Sequence, residues 1–265
     1  MMDKTIKETV KEKYAEIATQ QSSSCCGSSG CCGQQAIEIT MIGDEYNSIS
    51  GHIAEADLGL GCGVPTEFAK MKTGDTVLDL GSGAGNDVFI AAAIVGDTGR
   101  VIGVDMTPEM IEKAEKNKTK FGFTNTEFRL GEIEALPVKD NSIDVVISNC
   151  VLNLVPDKQK AFAEIYRTLK PGGHFCISDV VLEGDIPDGF KKSAEMYAGC
   201  VAGAVKKEEY LSIIADAKFK DIDVVKTNKY EVPDELYQKY LTPEEIEVIR
   251  KNNFGIFSVT VVANK

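Results

Sequence analysis

The chain has 265 residues, 43% of them hydrophobic and 26% charged, so it is long enough to bury a substantial apolar core. Its 41 acidic residues against 29 basic ones give a net charge of −12. This charge disfavours nucleic acid or an anionic membrane as a partner, because phosphate is repelled. The charged N-terminus has no apolar signal core, and the longest apolar run, 88–96, is too short to cross a membrane. We therefore expect a soluble, cytoplasmic protein.

The eight cysteines are unusual for such a protein. In a reducing compartment they are better explained as ligands or redox groups than as structural disulfides. Four of them lie in a Ser/Gly-rich segment that follows a helical pattern at 4–19, and these are Cys25, Cys26, Cys31 and Cys32. Since Ser and Gly cannot build a core, the segment is interpreted as a mobile part of an N-terminal extension over 1–57.

From residue 76 onward, strand and helix patterns alternate. Apolar strands are predicted at 76–80, 101–105, 127–130, 143–149 and 173–181. Helices are predicted between them at 86–95, 108–121 and 158–169. The alternation of continuous apolar strands with helices predicts an α/β fold, with a doubly wound, mostly parallel sheet covered on both faces. We expect a central domain at 58–185 and a smaller C-terminal α+β region at 186–265, with strands near 222–225 and 256–262.

The first predicted strand runs into a glycine-rich loop, LGSGAG at 80–85, and the second ends at Asp105. Alternating glycines allow a tight turn and the close approach of a ligand to the backbone. The third glycine comes one residue too early for the dinucleotide fingerprint, and no lysine follows to bind a phosphate. A carboxylate at the tip of the second strand can accept ribose hydroxyls. These features predict a nucleoside cofactor without a pyrophosphate, and S-adenosylmethionine fits this description.

The loop and the spaced carboxylate resemble the first two motifs of the Rossmann-like class I methyltransferases, and the GEIE segment at 131–134 follows the third strand as expected there. The resemblance implies that Glu132 and Ile133 border the adenine, while Asp79 and the loop glycines surround the methionyl part. The candidate cofactor-binding residues are Asp79, Gly81, Ser82, Gly83, Gly85, Asp105, Met106, Glu132, Ile133 and Asn149.

Three further cysteines are placed where a ligand could meet them. Cys150 follows the fourth strand, and the first and fourth strands of a doubly wound sheet flank the point where ligands bind. Cys62 and Cys200 are flanked by small residues, before the domain and after the fifth strand. Cys62 or Cys200 alone is as well explained by packing, but three thiols from segments that converge on one site predict a soft metal or metalloid site. Cys176, inside the fifth strand, is interpreted as a small buried hydrophobe.

Four segments carry a more specific resemblance, namely LGCGVP at 60–65, VDMT at 104–107, SNCVLNLVPDK at 148–158 and GCVAGA at 199–204. They resemble the arsenite methyltransferases closely. That resemblance implies that Cys62, Cys150 and Cys200 bind As(III) as thiolates and are the catalytic residues. It also implies that one of the four N-terminal cysteines takes part in disulfide exchange, with thioredoxin or glutathione as the thiol reductant. We expect a monomer that methylates arsenite or its thiol conjugates.

Two other functions stay open on the sequence alone. The chain could be a carbon, nitrogen or oxygen methyltransferase of small organic molecules with incidental cysteines, or a non-catalytic, thiol-rich protein that binds metalloids. A zinc site made of the four N-terminal cysteines is disfavoured, because the usual gap of two to four residues within each pair is missing. The number of methyl groups added and the acceptance of antimony are not fixed by the residues.

Overall fold

The computed structural model describes residues 6–19, 46, 49–191, 201, 203–230, 234–252 and 254–265. Its strands are β1 (Thr76–Leu80), β2 (Arg100–Asp105), β3 (Thr126–Leu130), β4 (Ile143–Asn149), β5 (Leu169–Glu183), β6 (Lys220–Tyr230) and β7 (Gly255–Asn264). Within the described part of the chain they form one sheet in the order β3-β2-β1-β4-β5-β7-β6. The four N-terminal cysteines and Cys200 lie outside the described residues.

The helices alternate with the strands and cover the sheet. They are α1 (Ile6–Thr19), α2 (Pro65–Phe68), α3 (Asn86–Val95), α4 (Pro108–Phe121), α5 (Lys158–Thr168), α6 (Asp188–Lys191), α7 (Lys207–Asp216), α8 (Asp234–Tyr240) and α9 (Pro243–Lys251), with a 3₁₀ turn at Leu152–Leu154. Local chemistry sets several of the ends. Helix α4 begins with a proline and ends at Gly122 in the left-handed conformation, and Thr242 and Glu245 form a capping box on α9. Across the described ranges, none of the helices combines the length and apolar character needed to cross a bilayer.

The sheet confirms the predicted α/β class. Strands β1 to β5 pair in parallel, and β7 runs antiparallel between β5 and β6. The strand order reverses at β1, which lies between β2 and β4. The carboxyl ends of β1 and β4 are therefore neighbours, and this is the edge of a doubly wound sheet at which ligands bind.

The core lies on both faces of the sheet. One apolar cluster joins the sheet to α5 and α7, and a second joins it to α3 and α4. Cys176 is fully buried in the second cluster beside Val77 and Ile147, which confirms its assignment to the core. Burial on two faces explains why the inner strands are apolar at nearly every position rather than at every second one.

A polar cluster is buried behind the carboxyl end of β4. Asp179 of β5 is fully buried, and its Oδ2 accepts a hydrogen bond of 3.0 Å from the hydroxyl of Tyr210 on α7. The ammonium of Lys158 donates to the carbonyls of Asn153 and Val155, at 3.0 Å each. Burial raises the pKa of Asp179 to about 7, although the charge of Lys158 acts in the opposite direction.

We expect Asp179→Asn to raise the free energy of unfolding at pH 8. The two carboxylate oxygens accept from Tyr210 and from the N–H of Val180, and the amide keeps only one acceptor oxygen, but removing the buried charge outweighs this loss. The folded-state pKa of Asp179 lies above its ordinary value of 3.8, so this carboxyl destabilises the fold increasingly as pH rises from 4 to 7. The gain is at most about 4 kcal/mol above pH 7 and shrinks towards pH 4. Urea unfolding at pH 8, 6.5 and 5 measures it. An equal difference at all three pH values would contradict this account.

Candidate active site

A cleft opens at the carboxyl ends of β1, β2 and β4, where the strand order reverses. It gathers nine of the ten predicted cofactor-binding residues and one of the predicted thiols. They are Asp79, Gly81, Ser82, Gly83, Asp105, Met106, Glu132, Ile133, Asn149 and Cys150. Gly85 and Cys62 do not line this cleft, although Gly61, the neighbour of Cys62, does.

The glycine-rich loop takes its shape from left-handed backbone at alternate positions. Gly81 has a φ of 69°, and a side chain there would collide with Val151, so the loop passes close to the turn that follows β4. Gly85 has a φ of 99°, and a side chain there would collide with the rings of Phe89 and Phe128. Gly85 therefore packs the start of α3 onto the sheet, whereas Gly81 keeps the cleft open beside β4.

Asp105 is held at the tip of β2 by two backbone groups. Its Oδ2 accepts from the N–H of Gly83 at 3.0 Å, and its Oδ1 accepts from the N–H of Thr107 at 2.8 Å. Burial raises the pKa of Asp105, while these N–H groups act against the shift. An ionised carboxylate only accepts hydrogen bonds, so a ligand hydroxyl group that reaches Asp105 would donate to it.

Three of the carboxylates that line the cleft lie close enough for the charges of two of them to act on the third. Burial, followed by the charges of Asp87 and Asp105, raises the pKa of Asp79 well above its ordinary range. Burial also raises the pKa of Asp87 to about 6, against hydrogen bonds from Tyr46 and Asn149. Like charges placed this close favour a ligand that carries positive charge, because a cation relieves their repulsion.

Three residues that line the cleft each carry a buried polar atom with no hydrogen-bond partner among the described residues. These atoms are Ser82 Oγ, Asn86 Oδ1 and Asp87 Oδ1. Buried polar atoms in folded proteins are nearly always hydrogen-bonded, so three together in one cleft indicate a polar ligand that would supply their partners.

Cys150 is held in a strained backbone conformation at the end of β4. Its φ is 60°, in the left-handed region that residues other than glycine rarely adopt, and its N–H donates to the carbonyl of Ser178 at 2.8 Å. Such strain persists where the surroundings impose it, and it is concentrated at functional sites. Cys62 and Cys150 are both buried and belong to one apolar cluster, which brings two of the three predicted thiol segments together.

The Asn149 carboxamide connects the Cys62 loop with the cleft. Its Oδ1 accepts from the N–H of Cys62 at 3.0 Å, and its Nδ2 lies 2.7 Å from the carbonyl of Gly63 and 2.6 Å from the hydroxyl of Tyr46. A side chain at Gly61 would collide with this carboxamide. The small residues around Cys62 therefore allow close backbone approach, as the sequence suggested.

The third predicted thiol, Cys200, is outside the described residues, but its neighbour in the sequence is not. Val201 is 3% exposed and belongs to the apolar cluster that holds Cys62 and Cys150. In the described ranges no group of three or more His, Cys, Asp or Glu side chains could hold a metal ion. The three-thiol site therefore stays a prediction.

Sequence reasoning missed several residues that line the cleft. Asp87, in the first turn of α3, could have been found as an acid directly after the glycine-rich loop. Val10 and Tyr14 of α1 also line the cleft, and α1 packs against α4. Tyr46 gives no comparable signal, because it lies far from every motif in the sequence.

The sheet order and the cleft define a doubly wound α/β protein with a carboxylate-lined cleft at the point where the strand order reverses. A family model described as "Methyltransferase domain" matches residues 71–218, which is more than half of the chain, and the chain belongs to this family. The matched range includes the glycine-rich loop, Asp105 and Cys150.

Several relatives share a more specific name. The arsenite methyltransferase of Halobacterium salinarum is 47% identical over 228 residues, covering 82% of this chain and 58% of the relative. The arsenite methyltransferase of Aquipseudomonas alcaligenes is 33% identical, covering 86% and 66%. A crystal structure of an arsenic(III) S-adenosylmethionine methyltransferase from Chlamydomonas reinhardtii matches with a TM-score of 0.63 and 33% identity, covering 73% of this chain and 64% of that one. The chain thus spans less than two thirds of the length of these relatives.

Proposed function

We propose that the protein transfers the methyl group of S-adenosylmethionine to trivalent arsenic bound by Cys62, Cys150 and Cys200. The observation that carries the proposal is the burial of Cys62, Cys150 and Val201 in one cluster, with Cys150 also lining the cleft of the cofactor motifs. An ordinary small-molecule methyltransferase has no need for thiols from separate segments at this point. The names of the relatives support the same substrate.

The residues of the cleft fit the proposed cofactor. Asp105 has acceptor positions for the ribose hydroxyls, and Glu132 and Ile133 line the side assigned to the adenine. Asp79 and Asp87 would face the positive charges of the methionyl part, which removes the repulsion between buried carboxylates. The unpartnered Ser82 Oγ and Asn86 Oδ1 would complete the polar contacts.

When bound, S-adenosylmethionine supplies an electrophilic methyl group on its sulfonium. Three thiolates would hold arsenic on one side and leave its lone pair on the other, because As(III) is a soft, three-coordinate centre. The arsenic lone pair would then be placed to take up this methyl group, with the electron pair of the carbon–sulfur bond left on the sulfur of the departing S-adenosylhomocysteine. No proton moves in this step, so alignment supplies most of the catalysis. Neither His52 nor His174 lines the cleft, which agrees with chemistry that needs no general base.

The reaction oxidises arsenic formally by two electrons, so a reductant is required for a further round. We propose a thiol reductant of the thioredoxin or glutathione class, with one of Cys25, Cys26, Cys31 or Cys32 as the exchanging cysteine. A reducing compartment such as the cytoplasm would keep the ligand thiols available. The proposed active unit is a monomer.

The direct test incubates the full chain with arsenite, S-adenosylmethionine and either dithiothreitol or a thioredoxin system. We expect methylated arsenicals by chromatography with elemental detection, together with S-adenosylhomocysteine. Arsenite that is bound but never methylated under any reductant would favour a sequestering protein. Formation of S-adenosylhomocysteine with an organic acceptor, and none with arsenite, would favour the alternative methyltransferase.

A further inference from the structure

The hydroxyl group of Tyr46 lies between the cofactor cleft and the Cys62 loop. Tyr46 is 6% exposed, and its hydroxyl is 3.0 Å from the carbonyl oxygen of Gly63 and 3.2 Å from Oδ2 of Asp87. A phenol has a single proton to donate. The hydroxyl can therefore donate to the carboxylate or to the loop carbonyl, but not to both at once.

The neighbouring Asn149 carboxamide faces a similar choice. Its Nδ2 has two protons and three acceptors within reach, which are the Tyr46 oxygen at 2.6 Å, the Gly63 carbonyl at 2.7 Å and Asp87 Oδ2 at 3.4 Å. Its Oδ1 accepts the N–H of Cys62 at 3.0 Å. Every acceptor is satisfied once when Tyr46 donates to Asp87 and Asn149 donates to Tyr46 and Gly63, and the network ends on the backbone of Cys62, a proposed arsenic ligand.

The charge of Asp87 determines whether the Tyr46 hydroxyl group donates to Asp87 or to the Gly63 carbonyl. The Oδ1 atom of this carboxylate is buried without a hydrogen-bond partner among the described residues, and Asp87 is one of the residues that line the cleft. While the carboxylate is not neutralised, a charge-assisted bond from Tyr46 is the stronger choice. Once a cation pairs with Asp87, its oxygen becomes a weaker acceptor and the Tyr46 proton is released to the Gly63 carbonyl, next to Cys62.

We propose that Tyr46 is a positioning residue that couples cofactor binding to arsenite binding, by redirecting its hydroxyl proton from Asp87 to the loop that carries Cys62. This inference rests on the proposed function. The second hydrogen bond on Gly63 fixes the loop and holds the Cys62 thiol ready for arsenic. Because coupling between two sites is reciprocal, arsenite must tighten cofactor binding by the same factor.

Calorimetry on the full chain, with a phosphine as the only reductant, tests the coupling. S-adenosylhomocysteine carries the methionyl ammonium, whereas 5′-methylthioadenosine has the same nucleoside without that charge. We expect saturating S-adenosylhomocysteine to tighten arsenite binding by about tenfold in the unmodified protein, within the usual range for coupled sites. Saturating 5′-methylthioadenosine should change the affinity for arsenite less than twofold.

For each variant, arsenite affinity is measured with and without saturating S-adenosylhomocysteine, and the ratio of the two values reports the coupling. In Tyr46→Phe this ratio should fall below twofold. Asp87→Asn, which removes the charge and keeps the shape, should lose the coupling as well and covers a failure of the first variant to fold. Tyr166→Phe is the matched control, because that tyrosine packs against Phe219 and does not line the cleft. Tyr166→Phe should retain the ratio of arsenite affinities found for the unmodified protein.

The outcomes separate this inference from the proposed function. No arsenite binding by the unmodified protein would overturn the proposed function. Arsenite binding with a ratio that persists in Tyr46→Phe and in Asp87→Asn would overturn the coupling alone. An equal effect of S-adenosylhomocysteine and 5′-methylthioadenosine would also overturn it, since the trigger would then not be the positive charge.

Discussion

Cys150→Ser should lower the rate of arsenic methylation by roughly 100-fold or more, while the affinity for S-adenosylhomocysteine stays within about twofold. The loss follows from chemistry rather than size, because serine offers a hard oxygen where soft As(III) requires a thiolate. The nucleoside contacts proposed for Asp105 and Asp79 come from other strands, so the cofactor should still bind. Arsenic speciation and calorimetry with each ligand measure the two effects separately.

The same change at a second buried thiol provides the matched control. Cys176 is fully buried in the core of the sheet, and Cys150 is 2% exposed, so Cys176→Ser imposes a comparable burial of a hydroxyl without touching the cleft. It should lower stability and leave the methylation rate per folded molecule close to that of the unmodified protein. Loss of methylation in both variants would point to general destabilisation. Retention of methylation in Cys150→Ser would remove Cys150 from the arsenic site.

The parallel part of the sheet could be predicted from sequence because its signals are local. Inner strands such as β1 and β4 have mostly apolar sequences. Asp79, Gly81 and Asp105 lie within a residue or two of the carboxyl ends of β1 and β2 in the sequence. Each of these signals depends on a few neighbouring residues. Because the signals are local, nine of the ten residues predicted to bind the cofactor line the cleft in the structure.

Elements exposed on one face were harder to delimit. Strand β6 extends over Lys220–Tyr230, whereas the sequence predicted a strand only near 222–225. It is an edge strand, and its residues alternate between exposed and half-buried. Because many of its side chains are charged or polar, the sequence does not show the continuous apolar pattern that marks the inner strands. Strand β5 begins at Leu169 rather than 173, because Pro171 and Gly172 read as the stop of α5 although they belong to the strand.

The network around Tyr46 could not be predicted, because it depends on tertiary contacts. Tyr46 is 103 positions from Asn149 and 41 from Asp87, and only the folded sheet brings the three side chains together. Nothing in the sequence near residue 46 marks a tyrosine as functional. The glycines around Cys62, in contrast, did signal a close approach, and the structure shows Asn149 against them.

Asp105→Asn should weaken the binding of S-adenosylhomocysteine by roughly 30- to 150-fold and leave arsenite affinity nearly unchanged. The carboxylate accepts from the N–H groups of Gly83 and Thr107 with different oxygens, and asparagine replaces one of these oxygens with an NH₂ that can accept neither a backbone N–H nor a ribose hydroxyl. Losing a charge-assisted acceptor costs about 2 to 3 kcal/mol, which corresponds to this factor. Calorimetry with S-adenosylhomocysteine measures the loss.

Asp144→Asn is the matched control for this prediction. Asp144 also accepts from a backbone N–H, that of Thr76 at 2.9 Å, and also lies on a parallel strand, but near the amino end of β4 and away from the cleft. It should leave nucleoside affinity unchanged. An equal loss in both variants would mean that any weakened contact between strands disturbs the cleft, and no loss in Asp105→Asn would remove this residue from the cofactor site.

The uncharged nucleoside 5′-methylthioadenosine separates the two ways in which Asp105 can act. If the carboxylate binds ribose hydroxyls, Asp105→Asn weakens 5′-methylthioadenosine and S-adenosylhomocysteine by the same factor, because the two share the ribose. If instead it acts through its charge beside Asp79 and Asp87, only the ligand with the ammonium is weakened. We expect equal factors for Asp105→Asn and a selective loss of S-adenosylhomocysteine for Asp87→Asn, since Asp87 has a buried carboxylate oxygen without a partner among the described residues, whereas both oxygens of Asp105 accept backbone N–H groups.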